Sequence, residues 1–232
     1  MLFGFFWGDW TILLVLPALI ISIWAQFKVT NTYHRQNIPN QIGLTGAAAA
    51  RRILDANGLS HIRIERIRGH LTDHYDPRAG VIRLSDSVYD VATVAAVGIA
   101  AHESGHAIQY AKSYGPIKLR AAIVPITQYS SWLAIPLFLV GLWFASSSLM
   151  MIGILLYAII ALFQLVTLPV EFNASNRAMQ TLDAHGILKR EELSGAKSVL
   201  SAAAMTYVAA LLTSIMTLLR LLLLAGNTNR RR

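Results

Sequence analysis

The chain has 232 residues, of which 55% are hydrophobic and 14% are charged, and its formal net charge is +8. This composition is typical of a membrane protein and excludes an ordinary soluble domain. The positive charge does not indicate nucleic-acid binding, because the basic residues lie beside apolar stretches, where they mark the cytoplasmic side of a membrane. The chain has no cysteine, so any metal must be bound by histidine and carboxylate side chains.

The first predicted element is the apolar stretch 11–24, TILLVLPALIISIW. With its neighbours it is long enough to span a bilayer, and we interpret residues 1–27 as an uncleaved anchor whose N-terminus lies outside. Twelve of the 20 Lys and Arg residues lie between Lys28 and Arg120, whereas residues 1–27 contain none. The positive-inside tendency therefore predicts that residues 28–128 form a cytoplasmic region.

Two helices are predicted in this cytoplasmic region. Thr45 is a suitable N-cap for the first helix, and Gly58 ends it. The second helix lies within residues 91–113, and the serines at 85 and 87 are its predicted N-cap residues. Its first half is apolar nearly all round, so we expect it to be buried or to lie at the bilayer surface.

A small sheet is predicted between these two helices. Residues 61–67 alternate polar and apolar side chains, which indicates a strand, and residues 81–85 form a second strand. Residues 72–78, TDHYDPR, have the composition of a turn, so the predicted sheet has two strands. The strand at 81–85 is the candidate for an open edge along which an extended peptide lies, the alternative being an ordinary small sheet that covers the helix.

The second helix contains the motif HESGH at residues 102–106. Two histidines four residues apart are rotated by about 40° on a helix, so His102 and His106 leave the same face and suit one Zn²⁺. Glu103 lies on an adjacent face, where it reaches a water molecule without being a ligand. This is the arrangement of the general base in a metallopeptidase. The alternative is a structural histidine pair on an apolar helix.

Two long apolar blocks follow, at residues 129–145 and 149–168, with only serines between them. They predict a transmembrane hairpin over residues 129–170. Because a hairpin crosses the membrane twice, the chain returns to the side that it left. Glu171, at the start of a predicted cytoplasmic helical region over residues 171–201, should therefore lie on the same side as the histidine pair.

A catalytic zinc ion has three protein ligands and one open position, so the histidine pair needs one more ligand. Glu171 is our candidate, and the alternative is a carboxylate that stabilises a helix N-terminus. Asn173 and Ser175 are near enough in sequence to hydrogen-bond the ligands. Other candidates for the third ligand are His185 and Asp183, and more weakly His61, His70 and His74.

The last region, residues 202–232, contains an apolar stretch that is long enough to span. Arg220 interrupts it, and a fourth span would place the three terminal arginines outside, against the positive-inside tendency. We favour a fourth span over a helix that packs at the membrane without crossing it. Tyr207 is a candidate donor to a transition-state oxyanion, or an ordinary interfacial aromatic residue.

These elements predict a mainly α-helical integral membrane protein. It has three to four transmembrane helices and a small α+β, zincin-like cytoplasmic metallopeptidase domain. The hydrolysis of peptide bonds is the reaction that the histidine pair and Glu103 indicate most directly.

Four segments together resemble the neutral zinc metallopeptidase family of bacterial membrane proteins, of the YugP type. They are AAHESGHAIQ at 100–109, LTDHYDP with IRLS at 71–85, LPVEFNASNRA at 168–178 and AAAMTYVAA at 202–210. The resemblance covers nearly the whole chain and implies a zinc-dependent, gluzincin-like membrane peptidase.

Residue by residue, the resemblance implies that His102 and His106 are the histidine ligands and that Glu103 is the catalytic glutamate. Glu171 matches the glutamate taken as the third ligand. The chain departs from the expected EFDAS at Asn173, which replaces a carboxylate. If that carboxylate orients a ligand, zinc affinity in this chain is lowered.

We therefore expect a multi-pass, Zn²⁺-dependent endopeptidase of the bacterial plasma membrane with its active site on the cytoplasmic side. Its expected substrate is an extended or unfolded polypeptide, in quality control or processing of membrane proteins, and its other partner is the lipid bilayer. Two alternatives stay open. One is a zinc hydrolase of a lipid-linked or other non-peptide substrate. The other is a non-catalytic membrane adaptor with structural zinc, which needs a fourth ligand such as His185.

Overall fold

The computed structural model describes residues 10–230, so the first nine residues of the predicted anchor lie outside the described residues. A short 3-10 helix, Trp10–Leu14, opens this part of the chain. The elements that follow are α1 (Leu16–Gln36), α2 (Gly46–Ala56), β1 (Arg63–Ile67), β2 (His74–Asp76), β3 (Val81–Ser85), α3 (Val94–Ala111), α4 (Gly115–Trp143), α5 (Ser147–Ala184) and α6 (Arg190–Arg230). They form two compact units. The apolar unit comprises residues 10–25, 119–168 and 206–230, and the mixed unit comprises residues 26–118 and 169–205.

Four helical segments of the described chain are long and apolar enough to cross a membrane. They are Trp10–Gln36, Gly115–Trp143, Ser147–Ala184 and Arg190–Thr228. Within the apolar unit large apolar side chains point outward: Trp132 is 83% exposed and Trp143 is 66% exposed. Such a surface is unfavourable in water and suits contact with lipid. The expectation of three to four membrane-spanning helices is confirmed in length and composition.

The hairpin helices are longer than the apolar blocks that predicted them. Helix α4 begins at Gly115, and α5 continues without a break through Pro169 to Ala184. At Gly153 an added Cβ would lie 2.8 Å from the backbone of Ala134 and Phe138. A glycine there lets α4 and α5 pack backbone to backbone, as small residues in membrane helices do. Because α5 begins well before Glu171, the alternative of a helix N-terminal carboxylate for Glu171 is wrong.

The mixed unit is built around one hydrophobic core. Its buried members come from α2, β3, α3, the end of α5 and the start of α6, including Ile53, Ile82, Val97, Leu182 and Leu200. Each fully buried aliphatic side chain of this size contributes about 1.5–3 kcal/mol relative to an exposed one. The first half of α3 is buried on nearly every side, which explains why its sequence is apolar nearly all round.

The sheet has three strands, not two, in the order β1-β3-β2. β1 pairs with β3 in parallel, and β2 pairs with β3 antiparallel through His74–Arg83, Tyr75–Ile82 and Asp76–Val81. The predicted turn at 72–78 therefore contains a short strand. The prediction that Val81–Ser85 is the open edge is wrong, because β3 is the central strand. The edge strands are β1 and β2, and β2 lies within the segment that was predicted as a turn.

Helix α2 begins as predicted, because the Thr45 side chain accepts a hydrogen bond from Ala48 N. Helix α3 does not. Its N-cap is Thr93, whose side chain accepts from Ala96 N. The predicted N-cap serines are used elsewhere: Ser85 donates from its backbone N and its hydroxyl to the Asp73 carboxylate. The Ser87 hydroxyl accepts a hydrogen bond from Leu71 N. Both hydroxyls therefore contact the segment that leads into β2, and neither caps α3.

Candidate metal centre

The two histidines of the HESGH motif lie on one face of α3, as their spacing predicts. The ring centroids of His102 and His106 are 4.7 Å apart, and the ring planes are inclined by 82°. Their side chains are 16% and 12% exposed. Each imidazole is therefore largely removed from bulk water but still open on one side.

The third predicted ligand lies beside them. Glu171 on α5 is 2% exposed, and its Oε2 is 3.2 Å from His102 Nε2 and 3.6 Å from His106 Nε2. The candidate ligand atoms of the three residues all lie within 4.8 Å of one another. Ligand atoms bound tetrahedrally to zinc at about 2.0–2.1 Å lie roughly 3.3 Å apart. The donor set and its spacing fit a zinc ion.

A close approach of two helix backbones places Glu171 here. A Cβ added at Gly105 would lie 2.5 Å from the carbonyl oxygen of Ala174. Gly105 lies between the histidines in the motif, and Ala174 lies one turn after Glu171 on α5. The missing side chain at Gly105 therefore lets α5 cross directly over the motif and brings the Glu171 carboxylate to the imidazoles.

Further hydrogen bonds hold the far side of each imidazole. Ser175 Oγ is 3.2 Å from His102 Nδ1, in agreement with the expectation that Ser175 contacts a ligand. His106 Nδ1 is 3.0 Å from Gln109 Oε1. Asn173 accepts its hydrogen bond from Gln109 Nε2 and not from either histidine. Sequence reasoning missed Gln109, although a polar glutamine one turn after His106, between apolar neighbours, was a usable signal.

Glu103, the predicted general base, is 8% exposed. Its Oε2 accepts a hydrogen bond of 3.0 Å from the backbone N–H of Tyr75, which lies in the middle of β2. The rings of Tyr75 and Tyr110 pack beside this contact, with centroids 5.7 Å apart. A backbone hydrogen bond from the edge strand thus holds the Glu103 carboxylate in position. Side-chain patterns in the sequence do not reveal such a contact.

The charges of the site favour a cation at the histidines. Burial alone would lower the pKa of His106. The contact with Glu171 and the negative charges of Glu103 and Glu171 outweigh burial and raise the pKa of His106 above its ordinary value. A metal ion supplies the same positive charge in the same place.

The other candidate ligands lie apart from this cluster. Among residues 10–230, the group of potential metal ligands has three members, His102, His106 and Glu171. Asp183 is exposed in the last turn of α5, His185 is exposed just after that helix, and His61, His70 and His74 are also exposed. Tyr207 belongs to the apolar unit, and its role stays a prediction. Within the described chain no fourth ligand closes the site, which counts against a purely structural zinc ion.

Two histidines at i and i+4 with a glutamate from a second helix define the ligand set of an HExxH metallopeptidase with an open coordination position. The chain matches the family model described as "Putative neutral zinc metallopeptidase" over residues 11–226, and it belongs to that family. It is 47% identical over 217 residues to the "Putative membrane protease YugP" of Bacillus subtilis (strain 168), covering 93% of this chain and 96% of that relative. No solved structure matches the chain.

Proposed function

We propose that this protein is a membrane-integrated, zinc-dependent endopeptidase of the gluzincin kind. The observation that carries the proposal is the convergence of His102, His106 and Glu171, with ligand atoms within 4.8 Å of one another, beside the buried Glu103. The family description and the protease name of the relative support the same reaction class.

Zinc at this site would act as a Lewis acid on the scissile carbonyl and would lower the pKa of water towards about 7. Glu103 accepts the proton from the attacking water and passes it to the leaving amine. The Tyr75 N–H holds Glu103 Oε2, while Oε1 makes no hydrogen bond within residues 10–230. This asymmetry leaves one carboxylate oxygen for proton transfer and uses the other to fix the position of the group.

The substrate is an extended or unfolded polypeptide that lies along β2. Because Tyr75 N–H points to Glu103 and not to β3, the antiparallel ladder turns the Tyr75 carbonyl to the same open side. A peptide strand added at this edge would donate a main-chain N–H to the Tyr75 carbonyl next to the general base. We therefore assign the peptide-binding sheet edge, which was predicted at residues 81–85, to His74–Asp76.

The site faces the cytoplasm in this proposal. The three ligands lie in the mixed unit, formed by residues 26–118 and 169–205, and that unit carries most of the basic residues. The positive-inside tendency supports a cytoplasmic location for such a segment. The protein is then a multi-pass plasma-membrane enzyme that acts on membrane or soluble polypeptides at the cytoplasmic surface, in quality control or processing.

The test is to purify the full chain in detergent and to measure its zinc content and its cleavage of an unfolded protein. Glu103→Gln should retain zinc and lose activity by about 10²–10⁴-fold. Glu191→Gln, which changes an exposed carboxylate of the same unit, is the matched control and should leave cleavage unchanged. Zinc retained with full cleavage in Glu103→Gln would remove Glu103 as the base. Release of lipid head groups without peptide products would instead support a lipid-linked substrate.

A further inference from the structure

Gln109 is a fully buried polar side chain on α3, one turn after His106. All of its hydrogen-bonding groups have partners. Oε1 is 3.0 Å from His106 Nδ1, and Nε2 donates to Val170 O at 2.8 Å and to Asn173 Oδ1 at 3.0 Å. A buried glutamine is costly unless it is satisfied in this way. The contacts therefore join α3 directly to the turn of α5 that carries Glu171.

The partners fix which way the Gln109 amide faces. Val170 contributes a backbone carbonyl, which can only accept, so the amide nitrogen must point to α5. The amide oxygen then faces His106 Nδ1, and an oxygen can only accept. Nδ1 must therefore carry the proton, which leaves the lone pair of His106 on Nε2, the atom that faces Glu171.

The Nδ1 side of the other histidine has no comparable constraint. His102 Nδ1 contacts the hydroxyl of Ser175, which can either donate or accept. Ser175 is thus compatible with both neutral tautomers of His102, whereas Gln109 is compatible with one tautomer of His106. The two sides of the site differ in how firmly their hydrogen-bond partners determine the ligand atom.

A second contact stabilises the amide from outside. Asn173 Oδ1 accepts from Gln109 Nε2 and also, at 2.7 Å, from Arg177 Nε. The Arg177 guanidinium can only donate, so it keeps the oxygen of Asn173 at the shared position. The carboxamide at 173 therefore acts on the site through Gln109 and not by touching a ligand.

We propose that Gln109 is a positioning residue that holds His106 in its metal-binding tautomer and orientation and ties that orientation to the turn of α5 carrying Glu171. This inference rests on the proposed zinc site. Groups that orient a ligating histidine typically change metal affinity by 10–100-fold. Gln109 should therefore set zinc affinity without touching substrate or zinc.

The test compares Gln109→Met, which keeps the length of the side chain and removes its hydrogen bonds, with the unaltered protein in detergent. Zinc dissociation constants are measured by competition with a chelator, and the Co²⁺-loaded proteins are compared by their visible spectra. Gln180→Met is the matched control, because Gln180 is an exposed glutamine on α5. We expect about 10–100-fold weaker zinc binding and an altered Co²⁺ spectrum for Gln109→Met only.

The outcomes separate this inference from the proposed function. If the unaltered protein does not bind zinc, the proposed site is wrong. If it does, and folded Gln109→Met binds equally well with the same spectrum, only the role of Gln109 is wrong. A purely packing role would lower the unfolding temperature of the metal-free protein and leave the zinc dissociation constant unchanged.

Asn173→Ala provides an independent variant should Gln109→Met fail to fold. It leaves the Gln109 amide in place and removes the acceptor that Gln109 and Arg177 share. We expect a smaller loss of zinc affinity, of about threefold to tenfold, since Val170 O still holds the amide nitrogen. Unchanged affinity and an unchanged Co²⁺ spectrum in this variant would overturn the proposal.

Discussion

The close contact at Gly105 predicts that its replacement by alanine separates the metal ligands. An alanine Cβ would lie 2.5 Å from Ala174 O, 3.2 Å from Ala174 C and 3.3 Å from Ala174 Cα. These are backbone atoms of α5 and cannot rotate away as a side chain could. Helix α5 must therefore move off α3, and Glu171 moves with it because Glu171 lies one turn from Ala174 on the same helix.

The size of the movement follows from the contact distances. The contact with Ala174 O is about 0.9 Å shorter than ordinary van der Waals contact, which begins at 3.4 Å. A displacement near 1 Å at a catalytic site costs about 10²-fold in activity. Overpacking costs about 1–3 kcal/mol, and alanine in a helix regains about 1 kcal/mol relative to glycine. Stability should therefore fall by only about 0–2 kcal/mol while zinc binding and cleavage fall steeply.

Gly98→Ala is the matched control on the same helix. A Cβ at Gly98 would lie 3.4 Å from the Ala196 side chain, which is ordinary contact, so we expect stability to stay equal or to rise by about 0.5–1 kcal/mol. The assay measures the unfolding temperature, the zinc dissociation constant and the cleavage rate of both variants. If Gly105→Ala binds zinc and cleaves as well as Gly98→Ala does, the argument that this glycine sets the ligand geometry is refuted.

Two further predictions concern stability. Thr93→Ala removes the N-cap of α3 and should lower the free energy of unfolding by about 1 kcal/mol. The measurement is the unfolding temperature in detergent, with Thr30→Ala, at an exposed helix position, as the control. Equal unfolding temperatures for the two variants would contradict the role of Thr93 as a cap. Removal of zinc with a chelator should destabilise the protein by about 2.7 kcal/mol if zinc had been present at 100 times its dissociation constant. Glu171→Gln should make the unfolding temperature insensitive to the chelator, and an equal response in both proteins would count against Glu171 as a ligand.

The parts of the fold that depend on local sequence were predictable. Helix α2 followed from its N-cap Thr45, and the membrane-length helices followed from apolar length alone. Strand β2 was not predictable in the same way, because its three residues are ordered by pairing with β3 and lie in a segment of turn-forming residues. The N-cap of α3 was misplaced because Ser85 hydrogen-bonds Asp73, a contact between residues twelve positions apart.

In the candidate site, too, the features set by local spacing were predictable and those set by tertiary contacts were not. The i, i+4 spacing placed His102 and His106 together, and the two-crossing argument for the hairpin pointed to Glu171. The contacts that fix the orientation of these groups were not visible in the sequence. Tyr75 acts through its backbone N–H, which every residue except proline has, and Gln109 acts through partners that only the crossing of α3 and α5 supplies.

The two residues between Glu103 and His106 explain why this form of the motif is informative beyond its ligands. Ser104 is fully buried, and its hydroxyl donates to Ala100 O within the helix, so it presents almost no bulk or unsatisfied polarity to the core. Gly105 presents no side chain to α5. A small residue followed by glycine inside an HExxH helix therefore allows a second backbone to pass directly over the motif, as α5 does here. The third ligand should then be sought on that crossing helix, within one turn of the contact, where Glu171 lies.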